Sequence, residues 1–214
     1  MVACKVFIEG GGDYRALHLD CRQGFSEFFL KAGIPAHLPI LPIACGGRKQ
    51  AYQDFCKAIR NRENALLLVD SEEVINTSHG DKPWQHLARR QGDEWQQPSH
   101  TTEDDCHLMV TCMESWFLTD IDTLATFFGD GFNPPKISDT QHIESVPKAE
   151  VFSILAQATV CCKEKGQYGK GRHSFKILAD IDPNKVAAHS PWAKRFIDEL
   201  KRRAIALSQT ASAI

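Results

Sequence analysis

The sequence predicts an α/β fold, a mainly parallel sheet flanked by helices, with a helical C-terminal extension. Two observations predict it. In the first 130 residues, short apolar runs typical of buried strands alternate with segments of helical periodicity. After residue 131 the periodic segments are helical only. We therefore expect a core over residues 1–130 and a helical extension over 131–214, packed on the core as one compact unit.

The strands are predicted from short apolar runs that end at turn residues. Gly10–Gly12 stop the first run, and the second contains Pro39 and Pro42, which favours an edge strand. The four predicted strands cover 6–8, 37–44, 65–69 and 107–112. Helices are expected over 17–32, 49–60, 113–128, 148–160, 175–179 and 191–207. Residues 71–105 form a polar connection, long enough to be functional or partly ordered.

Composition restricts the class of protein. The chain is 43% hydrophobic and 24% charged, as in a globular domain. It has no apolar run near the roughly 20 residues of a membrane span and no secretory apolar segment at its start, so we expect a cytoplasmic protein without a membrane partner. Its eight cysteines form no Cys-x-x-Cys pair and are expected to be buried hydrophobes, although Cys106, His107 and Cys112 leave a zinc site open.

The net charge of −2 conceals a strong asymmetry along the chain. Residues 1–62 carry nine basic and five acidic side chains, residues 63–144 carry four and sixteen, and residues 148–214 carry twelve and six. One interpretation is solvated helix faces and an acidic loop. The other is an acidic metal centre flanked by basic surfaces that hold a polyanion.

Carboxylates follow two of the predicted strands. Glu9 ends the first strand, and Asp70 and Glu72 follow the strand over 65–69. Because the carboxyl ends of parallel strands meet at one edge of a sheet, we expect these side chains to converge. Carboxylate oxygens are the ligands that Mg²⁺ and Mn²⁺ prefer, and such a site suits phosphoryl transfer. Glu114 is a candidate further ligand, whereas Asp120 is expected to be an ordinary helix or cap residue.

The pattern Val6-Phe7-Ile8-Glu9-Gly10 followed by Leu67-Leu68-Val69-Asp70-Ser71-Glu72 resembles Toprim, the metal-dependent domain of topoisomerases, bacterial primases and overcoming-lysogenization-defect nucleases. The resemblance implies an Mg²⁺- or Mn²⁺-dependent nuclease acting on DNA or RNA. Glu72 stands where Toprim proteins usually have Asp, which leaves the number of metal ions open.

Almost the whole chain also resembles a small prokaryotic family of uncharacterised Toprim-like proteins, through the segments 45–48 (CGGR), 113–118 (MESWFL) and 170–174 (KGRHS). This resemblance implies an ATPase partner of the ABC or structural-maintenance type and a role in anti-phage defence. It makes Lys170 and His173 candidate catalytic residues. The candidate phosphate or nucleic-acid contacts are Gly10, Gly11, Gly12, Arg15, Arg48, Lys170 and Arg172, with Asp13 as a further residue beside the glycine turn.

Two alternatives remain open at this point: a non-catalytic partner or sensor module of an ATPase complex, and a metal-dependent nucleotide phosphohydrolase. A homo-oligomer is also open. The motifs of several other enzyme classes are absent from the sequence. The chain has no Gly-x-Ser-x-Gly elbow, no His-Glu-x-x-His helix, no P-loop ending in Gly-Lys-Ser/Thr, and no Gly-x-Gly-x-x-Gly after the first strand.

Overall fold

A computed structural model describes residues 3–12, 14–75, 82–137 and 140–212. It contains a four-stranded, all-parallel sheet with the spatial order β2-β1-β3-β4. The strands are β1 (Cys4–Gly11), β2 (Ile40–Gly46), β3 (Asn64–Asp70) and β4 (Cys106–Met109). The predicted α/β class with a parallel sheet is confirmed, and β2 is the edge strand that its prolines predicted.

Eight α-helices are assigned in the described ranges: α1 (Arg15–Lys31), α2 (Arg48–Arg60), α3 (Pro83–Arg89), α4 (Ile121–Phe128), α5 (Lys148–Thr159), α6 (Lys170–Asp180), α7 (Pro183–His189) and α8 (Pro191–Ser212). Short 3-10 helices cover Glu103–Asp105, Met113–Thr119, Pro134–Lys136 and Thr140–Ser145. None of the helices in the described ranges is both long and apolar enough to cross a bilayer.

The sheet separates two hydrophobic clusters because alternate side chains of a strand point to opposite faces. Leu66 and Leu68 of β3 pack into a cluster with α1 and the C-terminal helices. Leu67 and Val69 of the same strand pack into a second cluster with α2 and α3. The helical C-terminal part therefore shares a core with the sheet, which fixes its position relative to the ends of the strands.

The connection over 71–105 is partly helical. It contains α3, and its two tryptophans, Trp84 and Trp95, are buried in the second cluster. Both rings lie against Tyr52 of α2, at centroid distances of 6.5 and 4.5 Å. These aromatic contacts anchor the connection beside the carboxyl ends of the strands.

Several predicted boundaries are wrong. β1 does not end at Ile8, because Gly10 and Gly11 continue the ladder as an irregularity in which both lie opposite Gly46. The helix expected over 175–179 starts earlier, since α6 begins at Lys170. Helix α7 was not predicted, and the helix expected over 113–128 is divided in two at Asp120, whose side chain accepts a hydrogen bond from the Thr123 N–H and caps α4.

The packing of α1 against α6 depends on Gly24. A Cβ atom at this position would lie 2.6 Å from the Phe175 carbonyl oxygen, which belongs to the backbone of α6. We expect Gly24→Ala to lower the free energy of unfolding by about 1–3 kcal/mol, because the overlap exceeds the gain of about 1 kcal/mol in helix propensity. Gly171→Ala, inside α6 and with only an ordinary contact of 3.7 Å to Leu17 Cδ1, is the matched control. Equal stability of the two variants in urea denaturation would contradict this packing.

Candidate metal centre

The candidate centre lies where the direction of chain winding reverses in the sheet. From β1 the chain crosses to β2 on one side and then to β3 on the other. In open α/β sheets, ligands bind at the carboxyl ends of the two strands that flank such a switch point. Glu9 is near the carboxyl end of β1, and Asp70 is the last residue of β3.

Three carboxylates converge at this point, and we call Glu9, Asp70 and Glu72 the carboxylate trio. One oxygen from each residue lies within 4.8 Å of the other two. Within the described ranges, no other set of three or more His, Cys, Asp or Glu side chains has this geometry. Asp70 is buried, and the other two side chains are about one-fifth exposed. The structure thus brings together the acids that the sequence predicted to converge.

The turn after β3 holds Glu72 in a strained conformation. Glu72 has a φ of +68°, in the left-handed region that Asn and Asp tolerate better than Glu. Hydrogen bonds maintain it: the Glu72 N–H donates to the Thr111 carbonyl at 3.1 Å, and the Ser71 hydroxyl accepts from the Thr111 N–H at 2.8 Å. Such strain, about 1–3 kcal/mol, is typical of functional sites.

Arg48, at the start of α2, connects the ends of β1 and β3 through hydrogen bonds. Its guanidinium donates to the Glu9 carboxylate at 3.2 Å and to the Asp70 carbonyl at 2.7 Å. It also binds both oxygens of Asp93, at 2.9 and 2.5 Å, and lies over the Trp95 ring at 5.1 Å from its centroid. Arg48 was predicted to contact phosphate, but in the structure protein groups engage its guanidinium. Asp93, in the middle of the long polar connection, carries no sequence signal for this role.

Lys148 is the second cation of the site and was missed by sequence reasoning. It is the first residue of α5, and its ammonium donates to Glu72 Oε1 at 2.8 Å and to Asp70 Oδ2 at 3.1 Å. The lysine lies 76 and 78 residues along the chain from its two partners. No local motif marks a lysine at the start of a helix as part of such a site.

Burial and mutual repulsion raise the pKa values of Glu9 and Asp70. Burial, followed by the charge of Asp70, raises the pKa of Glu9 to about 8, although Arg48 opposes the shift. Burial also raises the pKa of Asp70 to about 6; Lys148 lowers it and Glu114 raises it further. The fold therefore holds these carboxylates in a setting where a cation is needed to keep them ionised.

Glu114 adds a fourth acid with a free oxygen. It is 1% exposed, and its Oε1 accepts hydrogen bonds from the Ser174 hydroxyl at 3.1 Å and the Tyr168 hydroxyl at 3.4 Å. Its Oε2 has no hydrogen-bond partner. A buried carboxylate oxygen without a partner is costly, which indicates a missing ligand.

Glu9, Asp70 and Glu114 line a common cavity of about 310 Å³, which we call the acidic cavity. The predicted glycines 10, 11 and 12 form part of its wall, and so do Lys170, Gly171 and Ser174 of α6. The Lys170 side chain is 58% exposed, and its ammonium lies 3.9 Å from Glu114 Oε1. Lys170 thus lies at the cavity with its charge accessible to a ligand.

The remaining predicted site residues do not line the acidic cavity. His173 is buried; its Nδ1 lies 3.1 Å from the Gly169 backbone nitrogen and its Nε2 lies 2.9 Å from Arg172 Nε, and a neutral imidazole accepts a hydrogen bond at one of the two. Burial and the charge of Arg172 lower the pKa of His173. Arg172 also binds two carbonyls of the preceding loop, so both residues organise the entry to α6. Arg15 is exposed at the start of α1, and Asp13 lies outside the described residues.

Basic side chains of the C-terminal segment form internal ion pairs with acidic side chains of the middle segment. Arg195 and Arg203 of α8 pair with Asp104 and Asp105, at 3.2 and 2.6 Å. With the pairs made by Lys148, the C-terminal basic segment thus neutralises part of the acidic middle segment. This favours intramolecular pairing over a continuous basic surface for a polyanion.

The zinc alternative does not agree with the geometry. Cys106 and Cys112 are fully buried free thiols. The His107 Nε2 lies 3.0 Å from the Asp104 carbonyl, and its Nδ1 lies 3.0 Å from Arg195 Nη1. Both ring nitrogens are engaged with protein groups, which leaves no lone pair for a metal ion.

A family model described as a domain of unknown function (DUF4276) matches residues 8–201. The match covers most of the chain, so the chain belongs to this family. No curated protein and no solved structure matches the chain.

The raised pKa of Glu9 predicts how the stability of the metal-free protein depends on pH. The folded state keeps this proton up to about pH 8, whereas the unfolded chain loses it near 4.5. The contribution of Glu9 to stability is therefore present below pH 4.5 and is lost as the pH rises to about 8. We expect Glu9→Gln to melt a few degrees higher than the wild type at pH 8, with a smaller difference at pH 5.

The control is Asp122→Asn, which changes an acid that is 92% exposed. Its melting temperature should follow that of the wild type across the same pH range. Parallel pH profiles for Glu9→Gln and the wild type, measured in the presence of a chelator, would contradict the raised pKa of Glu9.

Proposed function

We propose that this DUF4276 protein is a Toprim-type nuclease that depends on Mg²⁺ or Mn²⁺ and hydrolyses phosphodiester bonds in DNA or RNA. The observation that carries the proposal is the convergence of Glu9, Asp70 and Glu72 within 4.8 Å at the switch point of the sheet. The Toprim resemblance adds to it, because the converging residues are the ones that carry that resemblance.

The residues fit a hard divalent cation. All donors are carboxylate oxygens, which Mg²⁺ and Mn²⁺ favour. Glu114 Oε2 supplies a buried oxygen without a partner in the same cavity as Glu9 and Asp70. Glu9, Asp70 and Glu72 would hold the ion, and Glu114, which lines the acidic cavity with Glu9 and Asp70, would be a further ligand.

When bound, the cation would neutralise charge on a substrate phosphate and lower the pKa of an attacking water molecule. The protein residues supply the rest. Arg48 holds Glu9 and the end of β3 in register, so that their oxygens keep their spacing. The exposed ammonium of Lys170, a lining residue of the acidic cavity, would bind a phosphate oxygen. His173 has no part in this arrangement.

The resemblance also suggests a cellular role for the protein. It suggests that the protein is the nuclease effector of an ATPase-coupled anti-phage system, and this rests on the resemblance alone. A cytoplasmic location is part of the proposal, and eight free cysteines fit a reducing compartment.

One observation favours a second candidate function, a non-catalytic module of an ATPase complex. Arg48 and Lys148 already pair with all three acids of the trio, as they would in a purely structural ion network. In that case the acids would stabilise the fold without a metal ion. The unpartnered oxygen of Glu114 favours the metal site over this reading.

The decisive assay uses purified protein with labelled single-stranded DNA, duplex DNA, RNA and free nucleotides. Each is incubated with Mg²⁺, Mn²⁺ or EDTA, with and without a candidate ATPase partner of the ABC or structural-maintenance type. We expect metal-dependent cleavage of a polynucleotide. Loss of a carboxylate ligand should reduce it about 100-fold or more, because the charge-neutralising cation is no longer held.

Glu9→Ala and Asp70→Ala test the ligands, and Asp122→Asn is again the matched acidic control, with wild-type activity expected. Cleavage that persists in both alanine variants would reject the site. Turnover of free nucleotides without polynucleotide cleavage would identify a nucleotide phosphohydrolase instead. Intact assembly with the ATPase, without cleavage of any substrate, would favour the non-catalytic module.

A further inference from the structure

The two cations of the site are held in different ways. Arg48 has fixed partners besides the carboxylates of the trio: both oxygens of Asp93, the backbone carbonyl of Asp70 and the Trp95 ring. Lys148 has none of this support. Within the described residues, its ammonium donates hydrogen bonds only to Asp70 and Glu72.

Lys148 also lies between two of the proposed metal ligands. Its ammonium bridges Asp70 Oδ2 and Glu72 Oε1, at 3.1 and 2.8 Å. The other Asp70 oxygen, Oδ1, accepts the Met113 N–H at 2.9 Å, so Oδ2 is the Asp70 oxygen on the side of Glu72. A divalent ion bound to this carboxylate would use Oδ2, at about 2.0–2.1 Å for Mg²⁺. Two cations cannot share that oxygen without strong repulsion.

The lysine is able to leave. Its side chain is 24% exposed, and its stem is long and flexible, unlike the planar guanidinium of Arg48 clamped by Asp93. Withdrawal of the ammonium would leave Arg48 and the backbone bonds of the strand ends in place. The trio would then keep its geometry while its net charge became more negative.

We propose that Lys148 is a built-in counter-cation of the site, which a divalent ion displaces from Asp70 and Glu72 when it binds. The lysine compensates the acids in the metal-free protein and thereby sets the metal affinity and the threshold concentration for activity. This inference rests on the proposed metal-dependent function.

The test measures the binding of Mn²⁺ alone by calorimetry and by electron paramagnetic resonance, without a substrate. We expect Lys148→Gln to bind Mn²⁺ about threefold to tenfold more tightly than the wild type, because the competing charge is gone. Lys148→Arg keeps the charge and should bind no more tightly than the wild type. Circular dichroism at the assay temperature verifies that each variant is folded.

The matched control is Lys185→Gln. Lys185 also bridges two acids, Asp120 and Asp122, at 2.6 and 3.0 Å, and belongs to no part of the proposed site. Its Mn²⁺ affinity should equal that of the wild type. Equal or weaker Mn²⁺ binding by folded Lys148→Gln, with binding by the wild type, would overturn the counter-cation role alone. Absence of Mn²⁺ binding in every variant would overturn the metal site and the proposed function with it.

Discussion

Mutual repulsion among three carboxylates is the constraint on which the rest of the site depends. Their closest oxygens lie within 4.8 Å of one another, largely out of water. At that distance two like charges repel by about 3–4 kcal/mol at an effective dielectric constant of 20. The fold relieves this repulsion in two ways: Glu9 keeps its proton up to about pH 8, and two cations reach the acids, Arg48 from α2 and Lys148 from α5.

The sheet makes the cluster unavoidable. β1 and β3 are neighbours in parallel register, so residues at their carboxyl ends lie side by side. Both faces of the sheet are covered by hydrophobic clusters, which leaves the strand ends as the place where polar groups reach solvent. Winding of the chain to opposite sides of β1 then opens the space between the two strand ends, where the acidic cavity lies. The site is thus a product of topology, and its chemistry depends on which residues end the strands.

The sequence predicted the parts of this arrangement that follow from local pattern. The alternation of strands and helices predicted the parallel sheet, Pro39 and Pro42 predicted its edge strand, and strand-end position predicted the meeting of Glu9 with Asp70. The sequence pattern did not predict the ion pairs of the two cations, Arg48 and Lys148. Arg48 was assigned to phosphate, and Lys148 was not considered, because ion pairs across more than 70 residues leave no periodic signal.

The structure also places Lys170 and His173, two residues of one sequence motif, in different environments. Lys170 and His173 belong to one segment, KGRHS, but a helix begins at Lys170, and side chains three residues apart need not share an environment once other elements pack around them. Lys170 lines the acidic cavity and His173 is buried beside Phe127 and Phe128. The resemblance identified the segment, and only the packing of α6 distinguishes a residue at the site from one that supports the fold.

The most direct test of the account is the position of a bound ion. A crystal of the full chain soaked in Mn²⁺, with anomalous data collected at the manganese edge, locates the ion independently of any assay. A metal site at the carboxylate trio predicts an anomalous peak at about 2.0–2.4 Å from carboxylate oxygens of Glu9 and Asp70. The Lys148 ammonium should then be withdrawn from Asp70. Lys148 still bridging Asp70 and Glu72, with no manganese between the two strand ends, would contradict it.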